Sequence, residues 1–255
     1  MAKDIEIDRV APGFRETISP RAALGFIALA TDRTTLRDFL DFTAGAEGVD
    51  THPTRIAFSD TVSPETLIEM ADGLEASARL LVPGQPLGSI SYACTSGTIA
   101  IGEARVAAEI GKARPGVPVI TPIGAARAAL DRFGARRISL LMPYMMETAR
   151  MVAGVFADAG YELDRVATFD LAGDPEMNRM SPEAIIAAAR EVCADESEAL
   201  FISCTGMRTR PVIAALEAAL GRPVLTSNQV MAWGALRAAG IDDRLPGQGR
   251  LFTDH

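Results

Sequence analysis

The feature that most constrains the fold of this chain is an internal repeat. The segment SISYACTSGT (89–98) resembles ALFISCTGMR (199–208), since each is a short apolar run that ends in Cys-Thr before a small residue. Three further pairs follow the same order: LGFIALATD (24–32) with RISLLMPY (137–144), SPETLIEM (63–70) with SPEAIIAA (181–188), and VPVITPIGAARAAL (117–130) with RPVLTSNQVMAWGAL (222–236). Four matched segments in one order indicate a duplication rather than coincidence in an alanine-rich chain.

Each half alternates short apolar runs with helical patterns, which is typical of a parallel sheet with crossover helices. The predicted strands are 24–30, 55–59, 88–93 and 117–121 in the first half, and 137–142, 162–169, 199–203 and 223–226 in the second. Helix starts are predicted at Ser63 and Ser181, where serine precedes proline and glutamate, and similarly at Thr209.

These patterns predict an α/β fold of two similar domains, each a four-stranded parallel sheet flanked by helices, related by a pseudo-two-fold axis. We assign residues 1–121 and 227–255 to the first lobe and residues 122–226 to the second, with the active-site cleft between them. In such sheets, ligands bind at the carboxyl ends of the strands.

The composition excludes several classes of function. The formal net charge of −8 argues against nucleic acid and anionic membranes as partners, because both need a basic surface. The apolar runs are too short to span a bilayer and the N-terminal residues lack a signal-peptide core, so we expect a cytoplasmic protein. The two histidines, His52 and His255, and the widely spaced cysteines argue against a His-based triad and a zinc site. Nucleotide-binding glycine motifs are absent too, so we expect chemistry without a metal or cofactor.

Cys94 and Cys204 each follow a predicted strand at matching positions, so we expect the two thiols to face each other across the cleft. A thiol before a helix N-terminus senses the positive end of the helix dipole, which favours the thiolate. The residues after each cysteine are expected to bind a carboxylate through their backbone N–H groups and, where present, their hydroxyls. These residues are Thr95, Ser96, Thr205 and Gly206.

A single cysteine after a strand is more often a core residue than a catalyst. Two cysteines at matched positions of a duplication, each followed by threonine, favour chemistry instead. Two reactions suit such a pair of thiols. In the first, one sulfur accepts a proton from the carbon beside a carboxylate while the other sulfur donates one. In the second, a thiolate adds to an activated double bond. Cys193 lies in a helical run without a counterpart in the first half, so we interpret it as structural.

The repeated strand–Cys-Thr–helix pattern resembles the aspartate/glutamate racemase superfamily, and within it the branch of maleate cis–trans isomerases and arylmalonate decarboxylases. MPYMMETARMV (142–152) resembles the Pro-Tyr motif of that branch, and TSNQVMAWGALRAAGI (226–241) resembles its Ser-Asn-Gln…Trp helix. The likeness spans roughly residues 22–241. It implies a cofactor-independent isomerase, racemase or decarboxylase of a small carboxylate, and we expect a homo-oligomer, either a dimer or a tetramer.

By this resemblance, Cys94 is the nucleophile or first base and Cys204 is the acid, while Tyr144 hydrogen-bonds a substrate carboxylate. Decarboxylases of the branch are expected to carry only the second-half cysteine, so the presence of Cys94 points away from decarboxylation. Asn178 lies in a polar loop that closes over the substrate in the family, although any helix start has a similar pattern. Arg208 is expected to hold an anionic group, to lower a thiol pKa, or to be a solvated surface residue.

Asp32 departs from the pattern of the maleate isomerases, whose first strand ends in Pro-Ser-x-Asn-Thr with an asparagine that binds substrate. The start ATDRTTLRDF (30–39) resembles instead a sub-branch of ectoine utilization proteins, which act on a zwitterionic cyclic solute or its derivatives. A carboxylate at this place disfavours a dicarboxylate such as maleate and favours a basic nitrogen. Asp32 is alternatively a helix N-cap, or it has both roles.

Three functions stay open at this point. The first is an isomerase or racemase that uses both cysteines, and the second is a decarboxylase or other lyase with Cys204 as proton donor. The third is a solute-binding protein, since two α/β lobes around a cleft also describe that class. The paired thiols and the lack of a signal peptide favour an enzyme. Proton exchange and a covalent sulfur adduct are both compatible with the sequence.

Overall fold

Two four-stranded parallel sheets form the framework of the protein in a computed structural model that describes residues 5–14, 17–58 and 63–255. The strands are β1 Ala22–Leu29, β2 Val49–Ile56, β3 Ser89–Tyr92, β4 Val119–Ile120, β5 Arg137–Tyr144, β6 Glu162–Leu171, β7 Ala199–Ile202 and β8 Val224–Thr226. The first sheet has the order β2-β1-β3-β4 and the second has the order β6-β5-β7-β8, so both halves share one topology. The predicted α/β class with two similar parallel sheets is confirmed.

Helices connect the strands and cover the faces of the sheets. They are α1 Thr35–Thr43, α2 Pro64–Glu69, α3 Ala71–Arg79, α4 Thr95–Ile101, α5 Glu103–Ala113, α6 Pro122–Arg132, α7 Met146–Asp158, α8 Asp174–Met177, α9 Pro182–Val192, α10 Ile213–Leu220, α11 Ser227–Ala238 and α12 Arg250–Asp254. Among the described residues, no helix combines the length and the apolar character needed to cross a membrane.

The serine caps predicted from the sequence are present. Ser63 forms a capping box at the start of α2, and the Ser181 hydroxyl accepts the N–H of Ala184 at the start of α9. Thr209 makes no such cap, which corrects the third prediction, and a short 3-10 helix, Arg210–Val212, precedes α10. The Thr209 backbone is helical, with φ −100 and ψ −18, whereas a side-chain cap needs an extended residue.

Strand β2 differs from its predicted position. It spans Val49–Ile56 rather than 55–59, and residue 59 lies outside the described residues. β2 forms the edge of the first sheet and contains Pro53, which lacks a ladder donor and is tolerated at an edge. Within β2 the only buried residue is Ile56, so no apolar run marks this strand in the sequence.

The two cysteine-bearing strands are central in their sheets. Every residue of β3 and of β7 is buried, as is typical of parallel strands that are covered by helices on both faces. Each large apolar side chain buried in this way contributes about 1.5–3 kcal/mol relative to its exposed state. The carboxyl ends of β3 and β7 therefore hold Cys94 and Cys204 on a well-packed support.

Helix α11 joins the two halves. It packs against α1 and β3 of the first half and also against α6 and β8. Its first three residues are polar and fully buried: Ser227, Asn228 and Gln229. The lobe boundaries stay a prediction, and the contacts of α11 with α1 and β3 favour the assignment of residues 227–255 to the first lobe.

Candidate active site

One cavity lies where the carboxyl ends of β1, β3, β5 and β7 meet, and its empty volume, including the open mouth, is about 420 Å³. It is lined by Leu29, Asp32, Thr35, Phe58, Ala93, Cys94, Thr95, Ser96, Tyr144, Asp174, Met177, Asn178, Cys204, Thr205 and Gly206. Of the predicted site residues, the cavity brings together all but Arg208: Cys94, Cys204, Asp32, Thr95, Ser96, Tyr144, Asn178, Thr205 and Gly206.

Cys94 is the N-cap residue of α4. Its backbone is extended, and its sulfur accepts the N–H of Gly97 at 3.2 Å. The hydroxyl of Ser96 lies 3.8 Å from the same sulfur. A Cβ atom on Gly97 would stand only 2.8 Å from the sulfur, so glycine is what allows the thiol to lie against the helix start. The position provides N–H donors and the positive end of a helix dipole, both of which stabilise a thiolate.

Cys204 occupies the matching position with a different local structure. Its φ of +117 lies in a region that non-glycine residues rarely adopt, and its sulfur accepts the N–H of Gly206 at 3.2 Å. The helix N-terminus that was expected to follow Cys204 lies farther along the chain, because residues 205–206 form a turn and α10 begins only at Ile213. The two thiols are therefore equivalent in the repeat but not in their surroundings.

Side chains from α1 and α11 hold this turn in place. The Thr34 hydroxyl donates to the carbonyl of Gly206 at 3.0 Å, and the Thr35 hydroxyl donates to the carbonyl of Thr205 at 2.8 Å. The amide of Asn228 also donates to the carbonyl of Thr205, at 3.2 Å. These three bonds connect residues 205 and 206 to α1 and α11 and so fix the turn that carries Cys204.

Arg208 does not line the cavity, which corrects the expectation that it holds a substrate anion. Its Nε lies 3.8 Å from Oδ1 of Asp38, a fully buried carboxyl group in α1. Asp38 also accepts from the Asn228 amide at 3.2 Å and from the N–H of Arg210 at 3.3 Å. Burial raises the pKa of Asp38, and these partners oppose the rise. Arg208 is drawn to Asp38 because an unpaired buried carboxylate is costly.

The hydroxyls of Thr95 and Thr205 bond to the protein. Thr95 donates to the hydroxyl of Ser227 at 3.1 Å, and Thr205 donates to the carbonyl of Ala93 at 3.1 Å. Ser227 also accepts the N–H of Cys204 at 3.0 Å. Without a ligand, both hydroxyls thus donate to the protein, and their role toward a substrate carboxylate stays a prediction.

Burial dominates the ionisation of both thiols. It raises the pKa of Cys94 to about 11 and the pKa of Cys204 to about 12, and the N–H groups of Gly97 and Gly206 oppose the rise. The negative charge of Asp174 adds to the increase for both thiols. The expectation of favoured thiolates is therefore wrong for the ligand-free cavity, because desolvation outweighs the donors.

Tyr144 is the last residue of β5 and lies in the cavity beside Cys204. Burial raises its pKa well above the usual value, and the charge of Cys204 contributes in the same direction. A hydrogen bond from Tyr144 lowers the pKa of Cys204, against the larger effect of burial. The phenol therefore stays protonated over the pH range in which most enzymes work, which suits the predicted role of donating to a substrate carboxylate.

Two carboxylates line the cavity, and the sequence analysis singled out only Asp32. The Asp32 side chain accepts the backbone N–H groups of Thr34 at 3.2 Å, of Thr35 at 2.8 Å and of Leu36 at 3.2 Å, so Asp32 caps α1. Asp32 also lines the cavity, and its predicted role toward the substrate stays a prediction. The positive end of the α1 helix dipole stabilises the negative charge of Asp32.

Asp174 is the second carboxylate, and the sequence analysis missed it. It begins α8, is 8% exposed, and accepts a hydrogen bond from the hydroxyl of Thr31. In the sequence, Gly173-Asp174-Pro175 is typical of a helix start, and nothing in that pattern indicates that the side chain faces the thiols. Asn178, which follows α8, lines the same cavity as predicted.

Cys193 lies outside the cavity. It is the C-cap residue of α9 rather than part of its interior, and it is half-buried. None of the described residues that line the cavity is a lysine, an arginine or a histidine. Within the described part of the chain, no group of three or more His, Cys, Asp or Glu side chains could hold a metal ion.

Comparisons with known proteins place the chain among enzymes of small carboxylates. A family model described as arylmalonate decarboxylase matches residues 60–252. A maleate isomerase of Nocardia farcinica is 29% identical over 209 residues, which cover 79% of this chain and 82% of that protein. An arylmalonate decarboxylase of Bordetella bronchiseptica is 27% identical over 146 residues, which cover 54% of this chain and 59% of that protein.

Solved structures show the same architecture. A mutant of the Nocardia farcinica maleate cis–trans isomerase with a covalently bound succinylcysteine intermediate has a TM-score of 0.83 at 26% identity, covering 92% of this chain and 99% of that chain. A maleate isomerase mutant from Pseudomonas putida S16 with maleate has a TM-score of 0.84 at 20% identity, covering 91% of this chain and 97% of that chain. Because the family model spans more than half of the sequence, this chain belongs to the arylmalonate decarboxylase family.

Proposed function

We propose that this protein is a cofactor-independent isomerase or racemase of a small carboxylate, with Cys94 and Cys204 as its catalytic pair. The observation that carries the proposal is that two thiols from matched positions line one cavity, each with a backbone N–H group 3.2 Å from its sulfur. Similarity to maleate isomerases supports it, as does the succinylcysteine intermediate in the mutant of the Nocardia farcinica enzyme.

The substrate carboxylate would be bound by donors that the protein leaves available. The backbone N–H groups of Thr95 and Ser96 belong to the first turn of α4, where a helix has no acceptors for its own N–H groups. The N–H of Thr205 borders the same cavity, and the hydroxyl of Tyr144 would exchange its bond to Cys204 for one to the carboxylate. Donors on both sides of the thiols hold the carbon beside the carboxylate between the two sulfurs.

Two reaction routes fit this arrangement. In proton exchange, the thiolate of one cysteine removes the proton beside the carboxylate and becomes a thiol, while the thiol of the other gives its proton to the opposite face and becomes a thiolate. In the covalent route, the thiolate of Cys94 adds to one carbon of a double bond and Cys204 protonates the neighbouring carbon. Rotation about the new single bond and reversal of both steps then release the other isomer.

A decarboxylase is the second candidate, and the match to the arylmalonate decarboxylase family favours it. In that reaction the substrate loses carbon dioxide, and the thiol of Cys204 protonates the carbanion that remains. Cys94 has no step in this reaction. The two candidates therefore differ in their dependence on Cys94.

We further propose a substrate with a basic nitrogen, such as ectoine or a derivative, in place of maleate. Asp32 supports this because its carboxylate lines the cavity, although the three N–H groups of α1 already share its charge. Titrations of wild type and Asp32→Asn with ectoine and with maleate test it. We expect the wild type to prefer ectoine and the variant to shift toward maleate. If the wild type binds maleate tightly and Asp32→Asn binds it equally well, Asp32 is only the cap of α1 and does not select the substrate.

The reaction itself is tested in deuterated water by nuclear magnetic resonance with maleate, ectoine and phenylmalonate as probes. We expect deuterium incorporation or isomerisation of one probe, and a loss of at least about a hundredfold in both Cys94→Ser and Cys204→Ser, because each sulfur either transfers a proton or bonds to carbon in both routes. Cys193→Ser is the matched control and should keep full activity.

The decarboxylase instead predicts release of carbon dioxide from phenylmalonate that requires Cys204 and survives Cys94→Ser. Full activity in both Cys94→Ser and Cys204→Ser would show that the two cysteines are core residues.

We also propose that the protein is a homo-oligomer. Large apolar side chains near the N-terminus are 78–90% exposed, which is unusual for residues of this size in a monomer: Ile5, Ile7, Val10, Phe14 and Ile18. Light scattering of the full chain and of a variant with serine at Ile5, Ile7 and Phe14 tests the assignment. A monomeric full chain would contradict it.

A further inference from the structure

The hydroxyl of Ser227 lies between the two segments that carry the thiols. Ser227 is the first residue of α11 and is fully buried. Its oxygen accepts the backbone N–H of Cys204 at 3.0 Å and the hydroxyl of Thr95 at 3.1 Å. Thr95 directly follows Cys94 in the chain. Ser227 is not among the residues that line the cavity, so it acts on a ligand there through the residues that it holds.

The first half of the duplication has no hydroxyl at the place of Ser227. Thr121 and Thr226 are the N-cap residues of α6 and α11, the helices that follow β4 and β8. The side chain of each threonine accepts the backbone N–H three residues further on. The residue directly after each cap is therefore equivalent in the two halves. It is Pro122 in the first half and Ser227 in the second, and proline has neither a hydroxyl nor an N–H.

The backbone at the two cysteines differs as well. Cys94 is extended, with φ −146 and ψ 113, and its N–H donates to the carbonyl of Tyr92 at 3.1 Å. Cys204 has φ +117, and its N–H donates to Ser227 instead. Residues other than glycine rarely adopt such a φ, and they keep it only where the surrounding structure fixes it. The bond to Ser227 acts on the strained residue itself.

We infer that Ser227 is a positioning residue that holds Cys204 in this conformation and thereby makes the two thiols inequivalent. The inference rests on the proposed function, because it concerns the same pair of sulfurs. Both proposed routes need one sulfur as a thiolate and the other as a proton donor. Cys94 lies at the start of α4, whose dipole favours a thiolate, whereas no α-helix begins directly after Cys204. Through its second bond, to Thr95, Ser227 also connects the segments of the two thiols.

The first test uses no ligand and follows the backbone of Cys204. The chain has three cysteines, so protein labelled with ¹⁵N-cysteine gives three amide signals, which single substitutions by serine assign. In Ser227→Ala, we expect the signal of Cys204 to move and its hydrogen exchange to accelerate at least about fivefold, the factor that a neutral hydrogen bond supplies. The signal of Cys193, whose N–H donates to Ala189, should stay. A folded Ser227→Ala with the wild-type signal and exchange rate of Cys204 would overturn the inference.

Ser139→Ala is the matched control. Ser139 is fully buried in β5 and is not among the residues that line the cavity. Like Ser227, its oxygen accepts a backbone N–H, that of Ala194 at 3.1 Å, and lies 2.8 Å from a second hydroxyl, that of Ser197. Urea unfolding measures the loss of stability in both variants. If Ser139→Ala changes Cys204 or turnover as much as Ser227→Ala does, the effect comes from lost stability and the inference is wrong.

The pair Ser227→Thr and Ser227→Val separates the hydrogen bond from packing. Both side chains add bulk to the same buried position, and only threonine keeps the oxygen. We expect Ser227→Thr to keep the wild-type amide signal of Cys204 and Ser227→Val to lose it. The pair also decides the question where Ser227→Ala does not fold. Equal signals of Cys204 in the two variants would contradict a role of the oxygen.

The second test measures turnover of the probe that the wild type converts. We expect Ser227→Ala to lower kcat by about ten- to a hundredfold and to change KM by less than about threefold. A displaced sulfur slows the chemical step, whereas the carboxylate donors at the start of α4 stay in place. We expect Ser227→Thr to restore most of kcat. An unchanged kcat in a Ser227→Ala protein whose Cys204 signal has moved would contradict the positioning role.

Failure of this inference and failure of the proposed function are distinguishable. The amide signals need no substrate, whereas the proposed function depends on the loss of activity in Cys94→Ser and Cys204→Ser. If the cysteine variants lose activity while Ser227→Ala keeps the wild-type signal and kcat, the catalytic pair stands and the role of Ser227 is wrong. If Ser227→Ala moves the signal while both cysteine variants stay active, Ser227 fixes the backbone of Cys204 but the proposed function is wrong.

Discussion

The hydroxyl of Thr31 donates a hydrogen bond to the carboxylate of Asp174 although 143 positions separate the two residues. Thr31 follows β1 of the first sheet, and Asp174 begins α8 after β6 of the second sheet. Asp174 lines the cavity that holds Cys94 and Cys204, and Thr31 directly precedes Asp32, which lines it too. The bond therefore connects the two halves of the duplication beside this cavity.

Thr31→Val removes this bond with little change in side-chain volume. We expect alkylation of Cys94 and Cys204 by iodoacetamide to accelerate relative to Cys193, by up to about ten- to hundredfold, since a hydrogen bond to a charged group contributes about 1.5–3 kcal/mol. Mass spectrometry of partly alkylated protein measures the ratio. Thr253→Val, at the exposed end of α12, is the control. An unchanged ratio in Thr31→Val would mean that the bond does not restrict access.

The order of alkylation in the wild type follows from burial. Cys94 and Cys204 are 4% and 5% exposed with pKa values near 11 and 12, whereas Cys193 is half-buried with a smaller rise in its pKa. Without a ligand at pH 7.5, we expect Cys193 to be modified first, because the thiolate is the reactive form. Cys193→Ser should remove this early label. Prior labelling of Cys94 would show that the helix start lowers the pKa of that thiol more than burial raises it.

The stability of the protein is expected to fall at alkaline pH. The thiols of Cys94 and Cys204 have folded pKa values of about 11 and about 12, above the reference value of 9.0, so the unfolded chain releases its protons first as the pH rises. The free energy of unfolding therefore decreases from about pH 9 upward, by at most about 1.4 kcal/mol per pH unit for each thiol, until the folded thiols also ionise. Urea titrations from pH 7 to pH 10.5 measure the slope. Replacing both cysteines with alanine should flatten the slope, and an equally steep decline in that variant would assign the effect to other groups.

Position 97 requires a glycine because of packing, which helix propensity alone does not indicate. A Cβ atom at this position would lie 2.5 Å from Met70, 2.8 Å from the Cys94 sulfur and 2.8 Å from the Tyr92 hydroxyl. We expect Gly97→Ala to cost about 1–3 kcal/mol through overpacking and to reduce activity by displacing the thiol. Gly154→Ala in α7 meets no atom within 4 Å, and it should stabilise the protein by about 0.5–1 kcal/mol. Urea unfolding compares the two, and a Gly97→Ala variant as stable and active as Gly154→Ala would contradict the packing argument.

Repeated local patterns explain why much of the fold could be predicted from the sequence. Both sheets and the serine caps of α2 and α9 follow from apolar runs and turn residues that lie next to each other in the chain. Edge strand β2 was displaced in the prediction because only Ile56 within it is buried, so the apolar pattern that marks a central strand is missing. Local patterns identify an element well when one of its faces is buried, and poorly when it lies at an edge.

For the candidate site, the sequence by itself determined that Cys94 and Cys204 end equivalent strands, because a duplication carries the same residue to the same place in both halves. Only the tertiary structure decided what surrounds them. It brought Asp174 into the cavity, drew Arg208 toward Asp38, and directed the Thr95 hydroxyl to Ser227. It also raised the pKa of both thiols, since desolvation depends on all the groups that pack around a sulfur, and these include residues far away in the chain.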